Sequence, residues 1–333
     1  MNSRPLIVNV DCNFEYPLEQ KTAAAHGADL VLKKAVTEDE IIAACAEAAI
    51  VLVEEANFTA RVIANLKQCQ VIHMYGIGVD TIDVAAATER GIVVANAADY
   101  GAESVSDHAV ALLLACVRRV TTMDRNIRRG GWFDFQQETP LRQVKDLTLG
   151  LIGAGRIARG VAAKMGGFRM RILAYDRYVP ADQGPPGVEM TTLDRVVRES
   201  DLISIHTPLT AETRGMIGES VLRAMKPTAM LVNTGRGAVV DENVLVRALR
   251  EKWIAGAGLD VMVKEPLPMD SPLREFENVV LTPHYGGVSV EARARVHELA
   301  VDSIQAVLQG YWPLFPVNPQ VRPRKPLAPR PKS

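Results

Sequence analysis

An arginine, a glutamate and a histidine in the last third of the chain each stand just beyond an apolar run. Arg236 follows AMLVNT, is flanked by glycines and has no acid beside it in the chain. Its planar fork suits a carboxylate, which a lysine cannot grip with two parallel bonds. Glu265 sits before Pro266 in GLDVMVKEP, a stretch too rich in proline for helix, and His284 ends NVVLTPH. A lone histidine at a strand end is ordinarily a packing residue. Brought together, the three are complementary. Glu265 would favour the imidazolium of His284, His284 would protonate a ketone oxygen and take the proton back in reverse, and Arg236 would hold the neighbouring carboxylate.

The elements that must position them are legible as alternation. LIVNV at 6–10, EDEIIAACAEA, IVLVEE at 50–55, ARVIANLKQ and QVIHMYGIGVD read as short buried strands separated by helices. A second series begins near Leu147 with LTLGLIGAGRIA, RMRILAYD, DLISIHTPLT, AMLVNTGRG, IAGAGLDV and NVVLTPH. Strands alternating with helices predict an α/β fold of two doubly wound parallel sheets, with active groups at the carboxyl ends of strands. Between the series, Val105, Ala109, Leu112, Leu113, Cys116, Val117 and Val120 share one helical face, and Ser104 with Asp107 reads as a capping pair at its start. Two readings of that helix stand: packing inside its own domain, and a subunit contact, since Ala111 and Leu114 widen its apolar surface.

GLIGAGRIARG gives Gly153-x-Gly155-x-x-Ala158 between a strand and a helix. The first glycine turns the chain, the second admits a pyrophosphate, and the helix amino terminus faces the phosphates. Asp176 closes the next strand, where an acid accepts hydrogen bonds from an adenosine ribose. This pairing predicts NAD as cofactor. Arg177, immediately after it, keeps NADP open as the less favoured alternative.

Composition narrows the partners. The chain has 333 residues with 38 basic and 39 acidic side chains and a formal net charge of -1, so neither nucleic acid nor an anionic membrane is expected. AVALLLACV at 109–117 is the longest apolar run, about half of a bilayer span. Cys12, Cys45, Cys69 and Cys116 form no CxxC pair, which suits a cytoplasmic location and offers no metal site. The tail VRPRKPLAPRPKS is basic and proline-rich and is expected to be solvated and disordered.

Over about residues 40–320 the chain resembles the D-isomer-specific 2-hydroxyacid dehydrogenase family, through YGIGVDTIDV, GLIGAGRIA, HTPLT, VNTGRGAVVDE, GLDV, KEP and TPHYGG in that order. The resemblance implies that Arg236, Glu265 and His284 are the catalytic set and that Tyr75, Gly76, Ile77 and Gly78, with Arg236 and His284, bind substrate. It implies cofactor contacts at Gly153, Gly155, Arg156, Ile157, Asp176, His206, Thr207, Pro208, Thr213, Thr234, Gly235, Asp260 and Gly286. It further implies a discontinuous flavodoxin-like substrate domain of residues 1–99 plus 288–333 around a Rossmann domain of residues 100–287, and a homodimer joined through the helix near 101–130. The expected reaction interconverts a small D-2-hydroxy acid and its 2-oxo acid. Asn57, Trp132 and Tyr285 join Tyr75 as candidates for the substrate side-chain pocket. Phosphoglycerate dehydrogenases of the family often carry basic or hydroxyl residues where this chain has Glu54 and Glu55, so a phosphorylated substrate is disfavoured. Residues 140–180 are closest in wording to the family's corepressor branch, which leaves a nucleotide-sensing interaction protein as the alternative. The tryptophan of that branch is absent after TPHYGG, where Val288 follows.

Overall fold

Runs of valine, isoleucine and leucine with no polar alternation can only be buried on both faces, and here they form two wholly parallel sheets. The computed structural model describes residues 4–132 and 141–331. The chain divides into one unit of residues 1–101 and 289–333 and a second of residues 102–288.

The first unit holds β1 (Leu6–Asn9), β2 (Asp29–Leu32), β3 (Ile50–Val53), β4 (Val71–Met74) and β5 (Val93–Asn96) in the order β2-β1-β3-β4-β5, the flavodoxin-like arrangement. Val8, Val51, Ile72 and Val94 fill one side of this sheet with Phe58 and Leu66. Ile7, Leu52, Val71 and Val93 fill the other with Ile304 and Val307 of the helix Val290–Leu308. The carboxyl-terminal segment completes the unit. Asn318 is fully buried, accepts the Val94 N–H at 2.8 Å and donates to Thr88 Oγ1 at 2.8 Å and Ile92 O at 3.0 Å.

The second unit holds β6 (Thr148–Ile152), β7 (Arg171–Tyr175), β8 (Glu189–Met190), β9 (Leu202–Ile205), β10 (Met230–Asn233), β11 (Gly256–Leu259) and β12 (Val279–Leu281). Their order is β12-β11-β10-β9-β6-β7-β8, a Rossmann sheet with a seventh strand. The chain runs outward from β6 through β7 to β8, then returns to lay β9 on the other side of β6, so the topological switch point lies between β6 and β9. That crevice is where open α/β sheets bind ligands.

Two local expectations are corrected. The helix Ala102–Val117 starts before Ser104, which therefore lies inside the first turn instead of capping it, and Asp107 pairs with Lys164 at 2.8 Å. This helix buries Val105, Ala109, Leu112, Leu113 and Cys116 within its own unit. The basic tail, expected to be solvated, is fixed by its arginines instead. Arg324 donates to Arg90 O and Leu66 O, each at 2.6 Å, and Arg330 donates to Trp312 O at 2.7 Å and Asp302 Oδ1 at 2.8 Å. These bonds act beside two apolar anchors of the tail itself, since Val321 is buried and Leu327 packs against the core of the first unit. Among the described residues no helix is long and apolar enough to cross a membrane, and no cluster of three or more His, Cys, Asp or Glu is placed to hold a metal ion.

Asn318→Ala leaves the buried Val94 N–H and Ile92 carbonyl without that partner, and each such group costs about 1–3 kcal/mol. A loss of about 2–4 kcal/mol in urea unfolding monitored in the first unit is expected; an unchanged midpoint would show that this tie is dispensable.

Candidate active site

At the carboxyl end of β11 the backbone delivers Asp260 into a site where its side chain is 2 % exposed. Burial opposes the charged form, yet bonds from His108, Thr282 and the backbone N–H groups of Tyr285 and Gly286 hold the carboxyl well below its usual range. Thr282 Oγ1 donates to Oδ1 at 2.6 Å, Tyr285 N to Oδ1 at 2.8 Å and Gly286 N to Oδ2 at 2.9 Å. His108 Nε2 lies 2.9 Å from Thr282 Oγ1 and 3.2 Å from Asp260 Oδ1, bracing the same turn from the helix Ala102–Val117. A side chain at Gly286 would bring its Cβ to 2.9 Å from Asp260 Oδ2, so the loop wraps the carboxylate only with glycine there.

That wrapped loop carries His284. Its φ of 55° lies in the left-handed region, which non-glycine residues rarely occupy, and its N–H donates to Asp260 O at 2.7 Å. Strain of this kind persists only where the surroundings determine the backbone. The ring meets Glu265, with Nδ1 2.8 Å from Oε2, while Glu265 Oε1 accepts the Met262 N–H at 2.9 Å. The pair is partly open, His284 being 47 % and Glu265 38 % exposed. The bond to Glu265 raises the His284 pKa against the opposing effects of burial and of Arg236. Burial works against ionisation of Glu265, but the bonds from His284 and Met262 N–H prevail and lower its pKa. Arg236, just beyond β10, is half-buried and close enough to act on both electrostatically, and its Nη1 donates to Gly235 O at 2.9 Å. Asn233 Nδ2 donates to Arg236 O at 2.9 Å, tying this residue to its strand.

The switch point is built for a phosphate-bearing ligand. At Gly153, φ is 104°, and a Cβ there would come within 2.8 Å of His206 O, so the ends of β6 and β9 approach only because the residue is glycine. Gly155 opens the helix Arg156–Gly166 with no side-chain cap on its first N–H groups and open space where a Cβ would stand. Asp176 Oδ2 accepts the Ala154 N–H at 2.8 Å, and Oδ1 accepts those of Tyr178 at 2.8 Å and Val179 at 3.2 Å. Both ring nitrogens of His206 and the hydroxyls of Thr207 and Thr234 are buried without a hydrogen-bond partner among the described residues. Buried polar atoms ordinarily find partners, and these stand at the ends of β9 and β10. The donor set fits a dinucleotide. Burial drives the His206 pKa down to about 4, so its imidazole is neutral. Thr213 donates to Pro208 O at 2.6 Å and shapes the loop between them, Gly235 N donates to Asn233 Oδ1 at 3.0 Å, Arg156 is exposed, and Ile157 packs partly into the core.

In the first unit, Tyr75 is 6 % exposed and its hydroxyl donates to Glu19 Oε1 at 3.0 Å, so its side chain is occupied inside the core. The following loop, Gly76, Ile77 and Gly78, is partly exposed beyond β4 and is held by Asn96 Nδ2 donating to Ile77 O at 2.6 Å. Trp132 is 82 % and Tyr285 55 % exposed, and Asn57 is exposed. The residues that sequence reasoning missed are His108 and Met262. A brace so far from its target along the chain, and a backbone N–H of ordinary type, leave no local signal.

An NMR titration of His284 should give a midpoint above the ordinary 6.5. Glu265→Gln should bring it to 6.5 or below, because burial and Arg236 both oppose the charge. The His284 contribution to stability is present below the unfolded value of 6.5 and is lost as pH rises through the raised folded value, while that of Glu265, whose value is lowered, is lost as pH falls through it. An identical midpoint in both proteins would remove Glu265 as the cause.

Comparison with known proteins identifies the family. Residues 110–286 match the family model for the D-isomer specific 2-hydroxyacid dehydrogenase, NAD binding domain. The glyoxylate reductase of Korarchaeum cryptofilum is 45 % identical over 265 residues, covering 79 % of this chain and 80 % of that protein. The crystal structure of a glyoxylate reductase from Paecilomyes thermophila superposes with a TM-score of 0.88 at 27 % identity, covering 96 % of this chain and 100 % of the other. The D-lactate dehydrogenase of Aquifex aeolicus, complexed with NAD and lactic acid, gives a TM-score of 0.81 at 29 % identity, covering 92 % of this chain and 96 % of the other. The chain therefore belongs to the D-isomer specific 2-hydroxyacid dehydrogenase family of oxidoreductases, which interconvert 2-hydroxy and 2-oxo acids with NAD(H) or NADP(H).

Proposed function

We propose that this chain is an NAD-dependent reductase of a small, unphosphorylated 2-oxo acid, with glyoxylate the first candidate. The Glu265–His284 pair, held beside Arg236 at the ends of neighbouring strands, carries the proposal. When bound, the reduced nicotinamide supplies the hydride. With Nδ1 turned to Glu265, His284 delivers its proton from Nε2 to the carbonyl oxygen and recovers it in the oxidation. Glu265 keeps the ring oriented and protonated. Arg236 grips the substrate carboxylate and polarises the adjacent carbonyl, while the backbone of Gly76, Ile77 and Gly78 keeps the substrate-binding role assigned from the sequence. Asp260 acts by shaping the His284 loop.

Acids at the carboxyl end of the first sheet support an unphosphorylated substrate. Asp11 is buried and accepts the N–H groups of Glu55 at 3.2 Å and Ala56 at 2.9 Å, which gathers Glu54 and Glu55 beside a third acid. Exposed Val120 and Ile127, 56 % and 51 % accessible, with Trp132, support a homodimer contact beyond the helix Ala102–Val117. The cytoplasm remains the proposed location.

The decisive assay is NADH oxidation with glyoxylate, hydroxypyruvate, pyruvate and phenylpyruvate. His284→Ala should lower kcat by roughly two to four decades with NADH affinity retained. Tight NADH binding without turnover of any oxo acid would favour the interaction-protein reading. Arg236→Lys should raise the oxo-acid KM more than it lowers kcat, because charge survives and the fork does not. Reduction needs protonated His284, so its rate should be level below the raised pKa and fall about tenfold per pH unit above it, with oxidation showing the opposite trend. A pH-independent reduction step would exclude His284 as the acid.

A further inference from the structure

Arg177 stands next to Asp176 at the end of β7, the position from which a cation would receive the 2′-phosphate of NADP. It is already engaged. Its Nη1 lies 2.9 Å from Glu212 Oε2, and the hydroxyl of the intervening Tyr178 donates to that same oxygen at 3.0 Å. Glu212 comes from the loop after β9, on the other side of the switch point in the sheet order. Its place there is built: Thr210 N donates to Thr213 Oγ1 at 2.8 Å, Arg214 N to Thr210 O at 3.0 Å, and Thr213 Oγ1 to Pro208 O at 2.6 Å, closing a turn around it. The Arg177 and Glu212 side chains are 63 % and 53 % exposed, so as a stability element the pair contributes little. Its charge balance at the mouth of the glycine loop is the informative property.

We propose that Glu212 is a cofactor-selectivity residue: it neutralises Arg177 and brings a carboxylate to the two residues that follow Asp176, so that a 2′-phosphate meets an occupied arginine with an acid on it. The inference rests on the dinucleotide reading of this crevice and names a residue beyond the glycine loop and its acid. Asp176 alone would not exclude the phosphate, since its oxygens are turned to the N–H groups of Ala154, Tyr178 and Val179. Removing the charge of Glu212 releases Arg177 toward solvent, where its fork can take a phosphate.

The test is calorimetric binding of adenosine 2′,5′-bisphosphate and of 5′-AMP to the full chain, Glu212→Gln, and the double variant Arg177→Ala/Glu212→Gln. Glu212→Gln should tighten the bisphosphate about five- to tenfold, the scale of one surface charge pair acting on a doubly charged group, and leave 5′-AMP within about twofold. The double variant should lose that gain. The ratio of NADPH to NADH in kcat/KM should rise in parallel for the single variant. Unchanged nucleotide selectivity in Glu212→Gln, or a gain that survives loss of Arg177, overturns the assignment while the cofactor site stands. If neither nucleotide binds any of the three proteins, the dinucleotide reading itself fails and takes the inference with it.

Discussion

A buried carboxylate is costly unless hydrogen bonds replace the water it leaves, and Asp260 turns that cost into architecture. Of the bonds that keep it charged, one comes from His108 on the helix Ala102–Val117 and the others from Thr282, Tyr285 and Gly286, so stabilising the charge and closing the loop go together. His284 sits inside that loop, its unusual backbone fixed by a bond to the carbonyl of the same aspartate. The imidazole is thus aimed by a residue that need not touch substrate. Glu265 then has only to meet a ring whose position is already decided.

Sheet order divides the work. The glycine loop, Asp176 and the His206 loop end β6, β7 and β9 around the switch point, whereas Arg236, Glu265 and His284 follow β10, β11 and β12. Neighbouring strands are about 4.8 Å apart, so the ends of β10 and β12 are separated by roughly 10 Å. A two- or three-carbon acid can be reached from both. Because these strands are buried on both faces, their ends cannot drift without disturbing core residues such as Leu231, Val232 and Leu259.

Much of this was legible in the sequence because parallel strands advertise themselves as unbroken apolar runs and their ends carry the odd residues out. Arg236 and His284 could be singled out on those grounds, as could Gly153 and Gly155 from their place between strand and helix. The partnerships were less legible. His108 braces Thr282 from 174 positions away, a relation that no local spacing encodes. Ser104 looked like a cap because serine before an apolar face usually is one, but the helix begins at Ala102 and takes Ser104 into its first turn. The tail misled for a related reason: its few apolar residues, Val321 and Leu327, are isolated in the sequence, and arginine bonding to distant carbonyls is invisible until the fold exists.

The discontinuity of the first unit bears on how the molecule is made. Its sheet comes from residues before 101, but the helix Val290–Leu308, which covers one face, and Asn318, which ties β5, are synthesised only after the whole second unit. During translation that face, lined by Ile7, Leu52 and Val71, has only the partial cover of Tyr16, Ala23 and Ala28 while an entire Rossmann sheet emerges. Domains fold as units as they leave the ribosome, so the later-coded unit is the one able to finish first. The nascent chain therefore passes through a stage in which the dinucleotide sheet is complete and the earlier sheet is still a candidate for chaperone capture.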